Sequence, residues 1–264
     1  MSKLNWYNKF SEKERDRRWQ LMREFMQNKG MDALLVLGVG LSPTDTGRTA
    51  QMQSLDRYLS GWANRCSVVF PLKGEPVLLG AMFSTVLRWT PETPKEEFPW
   101  IGDVRVSDQG EAIVEALREK GLERGHVGVG FSGTSATGRR LNAAATTVRD
   151  QAAKELPDCN FEDVTDDLLQ LMIVKSEEEL TLFRRGAEAM EKAMTAVAKV
   201  VRVGASDLDV YLALMNTLWE NGAIPSEPRF TSGPATTSTG DKLWNFGLSS
   251  PRVLEAGDVV NLGN

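Results

Sequence analysis

The chain has 264 residues, of which 41% are hydrophobic and 25% charged, a mixture typical of a soluble globular protein with one large or two modest domains. Its 31 Lys and Arg against 36 Asp and Glu give a net charge of −5, which argues against non-specific binding to nucleic acid. No apolar run approaches a membrane span, the N-terminus lacks a signal-peptide core, and the two cysteines form no disulfide framework. We therefore expect a cytoplasmic protein with neither a nucleic-acid nor a membrane partner.

The first half of the chain alternates between helix and strand patterns, which is typical of an α/β domain. Ser11 and Glu14 have the spacing of a capping box, and apolar residues at helical spacing follow until Gly30, which predicts a first helix. The spans 66–70 and 76–79 are apolar and joined by a turn, so they predict a hairpin. The other elements predicted in this half are strands over 32–38, 104–106 and 127–131 and helices over 110–120 and 137–156.

The second half is predominantly helical. Patterns predict helices over 166–173, 177–201 and 207–221, followed by a strand over 258–262. We predict two domains, residues 1–166 and residues 167–264. One buried face of the helix over 177–201 is predicted to consist of Leu180, Phe183, Ala187, Met190, Met194 and Val197.

Two features that often carry chemistry favour structural interpretations here. The single histidine, His126, precedes a strand pattern, where a structural or surface role outweighs a catalytic one. Residues 128–133 match G-x-G-x-x-G between a strand and a helix, as in dinucleotide sites, but they lie in the middle of the domain. We favour the interpretation that Gly128 and Gly130 relieve crowding within a strand. Nucleotide binding is the minor alternative.

Trp62 and Arg65 precede a predicted strand and form a candidate substrate contact. An arginine beside an aromatic side chain suits recognition of a small carboxylate by paired hydrogen bonds and stacking. An ordinary surface loop is the alternative interpretation.

Short motifs in the second half occur in the order typical of one family. Residues 173–187 read IVKSEEELTLFRRGA, residues 204–210 read GASDLDV, Ser232 and Gly233 follow, and residues 255–262 read EAGDVVNL. Together they resemble the creatinase, prolidase and Xaa-Pro aminopeptidase family. The resemblance implies a ribonuclease-H-like α/β N-terminal domain of the creatinase type, followed by the helical start of an α+β pita-bread domain.

The chain also departs from that family. Family peptidases bind two divalent metal ions, and the resemblance places the first aspartate ligand at Gly263 and an active-site histidine at Phe246. Neither residue can serve in those roles. We therefore expect no metal cofactor in this chain and assign no catalytic residue. The substrate-binding residues that the resemblance implies are Arg65, Trp62, Phe246 and Ser232, with Arg65 reaching the site across a homodimer.

A strand over 258–262 without a complete sheet would expose the helices that begin at Glu177 and Asp207. We therefore expect a fragment of a longer protein, with the other metal ligands outside it, rather than a short degenerate member. The predicted function is hydrolysis of a C–N bond in a small molecule or Xaa-Pro peptide, at an altered, creatinase-like site. The alternative is a non-catalytic binding or assembly module of the pita-bread type.

Overall fold

The computed structural model describes residues 10–38, 54–61, 66–80, 98–107, 110–131, 143–223, 229–234 and 250–263. These residues form seven helices and eight strands, and none of the described helices is both long enough and apolar enough to cross a membrane. They divide into two compact units at Ser176 and Glu177. The predicted boundary lay after Asp166, within the helix Thr165–Leu171, and the structure assigns this whole helix to the first unit.

The first unit is a six-stranded sheet with helices on both faces. Its helices are α1 (Glu12–Lys29), α2 (Leu55–Ser60), α3 (Gly110–Glu119), α4 (Ala143–Glu155) and α5 (Thr165–Leu171). Its strands are β1 (Ala33–Leu37), β2 (Ser67–Pro71), β3 (Val77–Leu79), β4 (Asp103–Arg105), β5 (His126–Phe131) and β6 (Asn160–Asp163). The strand order is β4-β3-β2-β1-β5-β6, in which β2 is antiparallel to both neighbours and the other three pairs are parallel.

The central strand, β1, is buried along its whole length because its side chains enter two separate cores. Leu34 and Val36 pack with residues of α1, α2 and α5 on one face of the sheet. Ala33, Leu35 and Leu37 pack with residues of α3 and α4 on the other face. Alternation along the strand sends neighbouring side chains to opposite faces, so one short apolar run serves both layers. The predicted α/β class is confirmed.

The local signals at element ends also behave as predicted. The Ser11 hydroxyl accepts a hydrogen bond from the Glu14 amide at 3.2 Å and begins α1. Gly30 ends that helix with a φ of 65°, in the left-handed region that favours glycine. The hairpin predicted over 66–70 and 76–79 is confirmed as the antiparallel pair β2 and β3.

The second unit consists of two helices and a two-stranded sheet. Its elements are α6 (Glu177–Val200), α7 (Asp207–Glu220), β7 (Arg229–Gly233) and β8 (Val259–Gly263). The helices α6 and α7 pack together over Phe230, and β7 pairs antiparallel with β8. All of these helices, and the strand predicted over 258–262, are present.

The buried face of α6 differs from the predicted one. Val197 is buried as expected, but Phe183 and Met194 are 49% and 43% exposed. Ala189 and Ala193 pack into the core instead. Small alanines let the neighbouring elements approach α6 closely, so the core forms on the side of the helix next to the predicted face. The assignment of Phe183, Ala187 and Met194 to the buried face was wrong, whereas Met190 packs against the core as predicted.

Apolar side chains remain exposed on α7 as well. Leu208, Leu212 and Trp219 lie along one side of the helix, away from the buried Val210 and Leu214. The expectation that both helices of this unit carry open apolar faces is therefore confirmed for the described residues.

Candidate functional site

The β7–β8 sheet has two chemically different faces. Residues opposite each other in an antiparallel pair share a face. The pairs Phe230–Leu262 and Ser232–Val260 face the helices. The opposite face, here called the open face, carries Arg229, Thr231, Gly233, Val259, Asn261 and Gly263.

Ser232, predicted to contact substrate, donates its hydroxyl hydrogen bond to Oδ1 of Asp207 at 2.6 Å. Asp207 is the first residue of α7 and is 7% exposed. The contact therefore joins β7 to the start of a helix, where a carboxylate is favoured by the helix dipole. The register of β7 with β8 places Ser232 and Gly263 on opposite faces of the sheet, so the structure does not bring these two predicted positions together.

The start of α7 is further fixed by a capping box. The Ser206 hydroxyl accepts from the Asp209 amide at 3.1 Å, and Asp209 accepts from the Ser206 amide at 2.8 Å. The backbone hydrogen bond from Ser206 lowers the pKa of the Asp209 carboxyl. The GASDLDV motif thus builds a helix start.

The EAGDVVNL motif has a similar structural role before β8. Gly257 has a φ of 93°, which favours glycine. The Asp258 carboxylate accepts two hydrogen bonds from Arg252 and one from the Glu255 amide at 2.7 Å. The bonds from Arg252, and then the one from the Glu255 amide, lower the pKa of the Asp258 carboxyl. The motif therefore forms a hydrogen-bonded turn immediately before β8.

The open face is neutral at its described side chains. Thr231 and Asn261 are cross-strand partners and half-buried, and Gly263 offers no side chain. A hydroxyl and an amide donate and accept hydrogen bonds but do not ionise near pH 7. Sequence reasoning missed both side chains, although their alternation with Phe230 and Leu262 is a readable signal.

Trp62, Arg65 and Phe246 lie outside the described residues. The residues on either side of 62–65 are firmly held. A Cβ at Gly61 would lie 2.4 Å from Cδ2 of Trp100, so the Trp100 ring lies directly against that backbone. The Cys66 amide donates to Oδ2 of the buried Asp56 at 3.3 Å.

The buried Arg18 packs against Tyr58 of α2, and sequence reasoning missed it. Arg18 is 1% exposed and donates from Nε to Oε1 of Glu14 at 2.7 Å. Its guanidinium lies 4.2 Å from the ring centre of Phe10 and 4.4 Å from that of Tyr58. Burial raises the pKa of the Glu14 carboxyl, but hydrogen bonds from Arg17 and Arg18 outweigh it and the pKa is lowered.

His126 has a structural role, as predicted. Its Nε2 lies 2.9 Å from Oε2 of Glu162, and its Nδ1 lies 3.2 Å from the Gly30 carbonyl oxygen. The backbone amide of His126 donates to the Asp32 carboxylate at 2.8 Å. The ring therefore connects the end of α1 with β5 and β6.

The packing role predicted for Gly128 and Gly130 is confirmed. A Cβ on Gly128 would lie 2.8 Å from Sδ of Met31 and 2.9 Å from side-chain atoms of Leu34 and Val164. A Cβ on Gly130 would lie 2.8 Å from a methyl carbon of Leu168. Both glycines make room for the core beside α5. Within the described part of the chain, His, Cys, Asp and Glu form no group of three that could hold a metal ion.

No protein-family model matches the chain, and no curated protein sequence matches it. Several solved structures match the chain. An X-Pro aminopeptidase from Thermotoga maritima matches with a TM-score of 0.65 and 16% identity, over 92% of this chain and 59% of that one. A prolidase from Pyrococcus horikoshii gives 0.58 and 19%, over 92% and 59%. A dipeptidase from Mycobacterium ulcerans gives 0.61 and 18%, over 97% and 61%.

The chain has the fold of the pita-bread peptidases. At identities of 16–19%, this likeness concerns the fold, and the resemblance predicted from the motifs is confirmed at that level. The chain spans 59–61% of the length of these pita-bread proteins.

Proposed function

We propose that the protein hydrolyses a C–N bond in a small molecule or an Xaa-Pro peptide. The observation that carries this proposal is the match over 92% of the chain to an X-Pro aminopeptidase, at a TM-score of 0.65. A prolidase and a dipeptidase match over similar spans. The motifs of the second half support the same assignment, because they occur in the order in which that family carries them.

The proposed site is altered and works without the family's metal pair. Gly263 lies on the open face at the position where the resemblance expects the first aspartate ligand, and its neighbours there, Thr231 and Asn261, are neutral. A face of this kind orients a substrate through hydrogen bonds and leaves proton transfer to residues elsewhere. Trp62, Arg65 and Phe246 are the proposed substrate contacts.

The second candidate is a non-catalytic binding or assembly module. The described side chains of the open face favour it, because the hydroxyl of Thr231 and the amide of Asn261 can bind a peptide by hydrogen bonds without catalysing its hydrolysis. The two candidates differ in turnover and agree in binding, so both quantities have to be measured on one sample.

The decisive experiment incubates the complete protein with Xaa-Pro dipeptides and creatine, with and without a chelator, and follows proline or urea release. Isothermal calorimetry on the same sample measures binding. Turnover that survives the chelator supports the metal-free hydrolase. Binding without turnover contradicts it and supports the module, and neither binding nor turnover contradicts both. Arg65→Ala is expected to weaken binding, whereas Arg124→Ala is the matched control because Arg124 is 86% exposed.

We also propose that the first unit is of the ribonuclease-H-like, creatinase N-terminal type and that the protein is a cytoplasmic homodimer. A six-stranded mixed sheet with helices on both faces supports the domain type. Cys66 and Cys159 are free thiols, as a reducing compartment favours.

A further inference from the structure

The ring of His126 lies between two groups that accept hydrogen bonds and donate none. Its Nε2 lies 2.9 Å from Oε2 of Glu162 on β6. Its Nδ1 lies 3.2 Å from the carbonyl oxygen of Gly30, the residue that ends α1. A carbonyl oxygen and an ionised carboxylate are acceptors only, so both ring nitrogens face an oxygen that needs a donor.

The neutral ring and the protonated ring fit this position differently. A neutral imidazole carries one N–H group, so it donates to one oxygen and directs a nitrogen lone pair at the other. The imidazolium carries two N–H groups and donates to both oxygens, and its bond to the carboxylate is charge-assisted. Only the protonated ring therefore completes both contacts between α1 and β6.

The charged groups around His126 also favour a cation. Glu162 supplies one carboxylate, and Asp32, whose Oδ2 accepts the His126 backbone amide at 2.8 Å, supplies a second. Lys29 lies 3.9 Å from Oε1 of Glu162, but its ammonium bonds to Asp167 of α5 at 2.9 Å. The C-terminal end of α1 adds a partial negative charge from the helix dipole. Attraction therefore outweighs repulsion at the ring.

The other ionisable side chains at this junction are paired or neutral. Arg124 and Asp158 form an ion pair at 3.6 Å in the turns before β5 and β6. The Cys159 thiol donates to a backbone carbonyl at 3.3 Å. Burial, followed by the charge of Asp32, raises the pKa of this thiol to about 11, so it stays neutral in the range where histidine titrates.

We propose that His126 is a pH switch that fastens the end of α1 to the β5–β6 edge of the sheet. With the proton bound, the ring joins the Gly30 carbonyl to the Glu162 carboxylate. When the proton leaves to solvent, which the 24% exposure of the ring permits, one bond is lost and the end of α1 opens more readily. The switch acts between about pH 5 and 8, where histidine changes charge, and does not depend on the proposed hydrolase activity.

Nitrogen NMR on histidine-labelled protein tests the protonation of the ring. The chain contains one histidine, and His126→Gln identifies its signals by their loss. In the imidazolium the two nitrogens resonate close together, whereas in a neutral tautomer they are far apart. We expect the ring to lose its proton at a measurably higher pH in the parent than in Glu162→Gln. Loss of the proton at the same pH in both proteins overturns the proposal.

Hydrogen exchange measures the opening itself. The Met31 amide donates to the Met26 carbonyl at 2.9 Å at the end of α1, so its protection reports whether that end is closed. From about pH 6 to about pH 8 we expect its protection factor to fall about threefold to tenfold. A fall that is absent in the parent overturns the proposal.

Two variants separate the ring from general charge effects. Glu162→Gln is expected to flatten the fall in protection, because its amide donates to the unprotonated Nε2 and the neutral ring then keeps both bonds. Asp167→Asn is the matched control, since it removes a nearby carboxylate but leaves both ring contacts intact, and we expect it to keep the fall. An equal fall in the parent and in Glu162→Gln, or a flat profile in Asp167→Asn, contradicts the switch.

Discussion

Gly128→Ala is expected to destabilise the first unit, although alanine is ordinarily the better residue in a strand. Gly128 lies opposite Leu34 in the parallel pair of β1 and β5. The added Cβ would lie 2.8–2.9 Å from atoms of Met31, Leu34 and Val164, whereas ordinary van der Waals contacts begin at 3.4 Å. All three neighbours are buried in one core, so they have little room to move.

The expected magnitude follows from two opposing effects. Overpacking a close-packed core costs about 1–3 kcal/mol, and the reduced freedom of the unfolded chain returns about 0.5 kcal/mol. A net loss of about 1.5 kcal/mol lowers the melting temperature of a unit of this size by about 3–6 °C. Gly102→Ala is the matched control in the same unit, because a Cβ there meets no atom within 4 Å.

Urea unfolding followed by tryptophan fluorescence, to which the buried Trp19 contributes, measures both variants against the parent chain. Gly102→Ala is expected to unfold at the parent's midpoint or slightly above it. A Gly128→Ala chain as stable as the parent would refute the packing explanation and reopen nucleotide binding as the reason for the glycine.

Three further predictions follow from the described contacts. Glu14→Gln is expected to cost about 3–5 kcal/mol at pH 7 because it removes the carboxylate from the buried Arg18. The pKa of the Glu14 carboxyl is lower in the folded protein than in the unfolded chain, so its contribution to the free energy of unfolding is complete above the unfolded pKa and is lost as the pH falls through the folded pKa. The free energy of unfolding of the variant should therefore fall less steeply with decreasing pH, as acid unfolding would measure. Burial, followed by the charge of Asp32, raises the pKa of the Cys159 thiol to about 11, so its reaction with a disulfide reagent at pH 8 should be about 100-fold slower than in urea. Ser206→Ala is expected to destabilise α7 by about 1 kcal/mol because it removes the helix cap. Differential scanning calorimetry of the full chain measures the change in unfolding temperature, and an unchanged unfolding transition would show that the cap is dispensable.

Local signals predicted most elements of this fold because they act over a few residues. Ser11 and Gly30 define the first helix by satisfying backbone groups at its two ends, and that chemistry is visible in the sequence. The hairpin of β2 and β3 was equally readable, since two short apolar runs joined by a turn pair with each other. The glycines of β5 were interpreted correctly because their strand pattern continues through them.

The candidate site was predicted only in part. The motif order led to the pita-bread fold, and the mismatch at Gly263 was visible without any structure. The sequence did not show on which face of the sheet Ser232 lies, because that face depends on the register of β7 with β8. Its hydrogen bond to Asp207 joins two elements that are separated in sequence, and no local pattern records such a contact.

The sequence by itself determined the helices, the strands, the α/β class of the first unit and the resemblance to a peptidase fold. Each of these depends on spacing and on interactions between near neighbours. Tertiary structure alone decided which side of α6 is buried, because Ala189 and Ala193 allow closer packing than Phe183 and Met194 do. It also decided that Arg18 is enclosed by Phe10 and Glu14, since the free energy of burying a charge depends on partners that only the folded chain assembles.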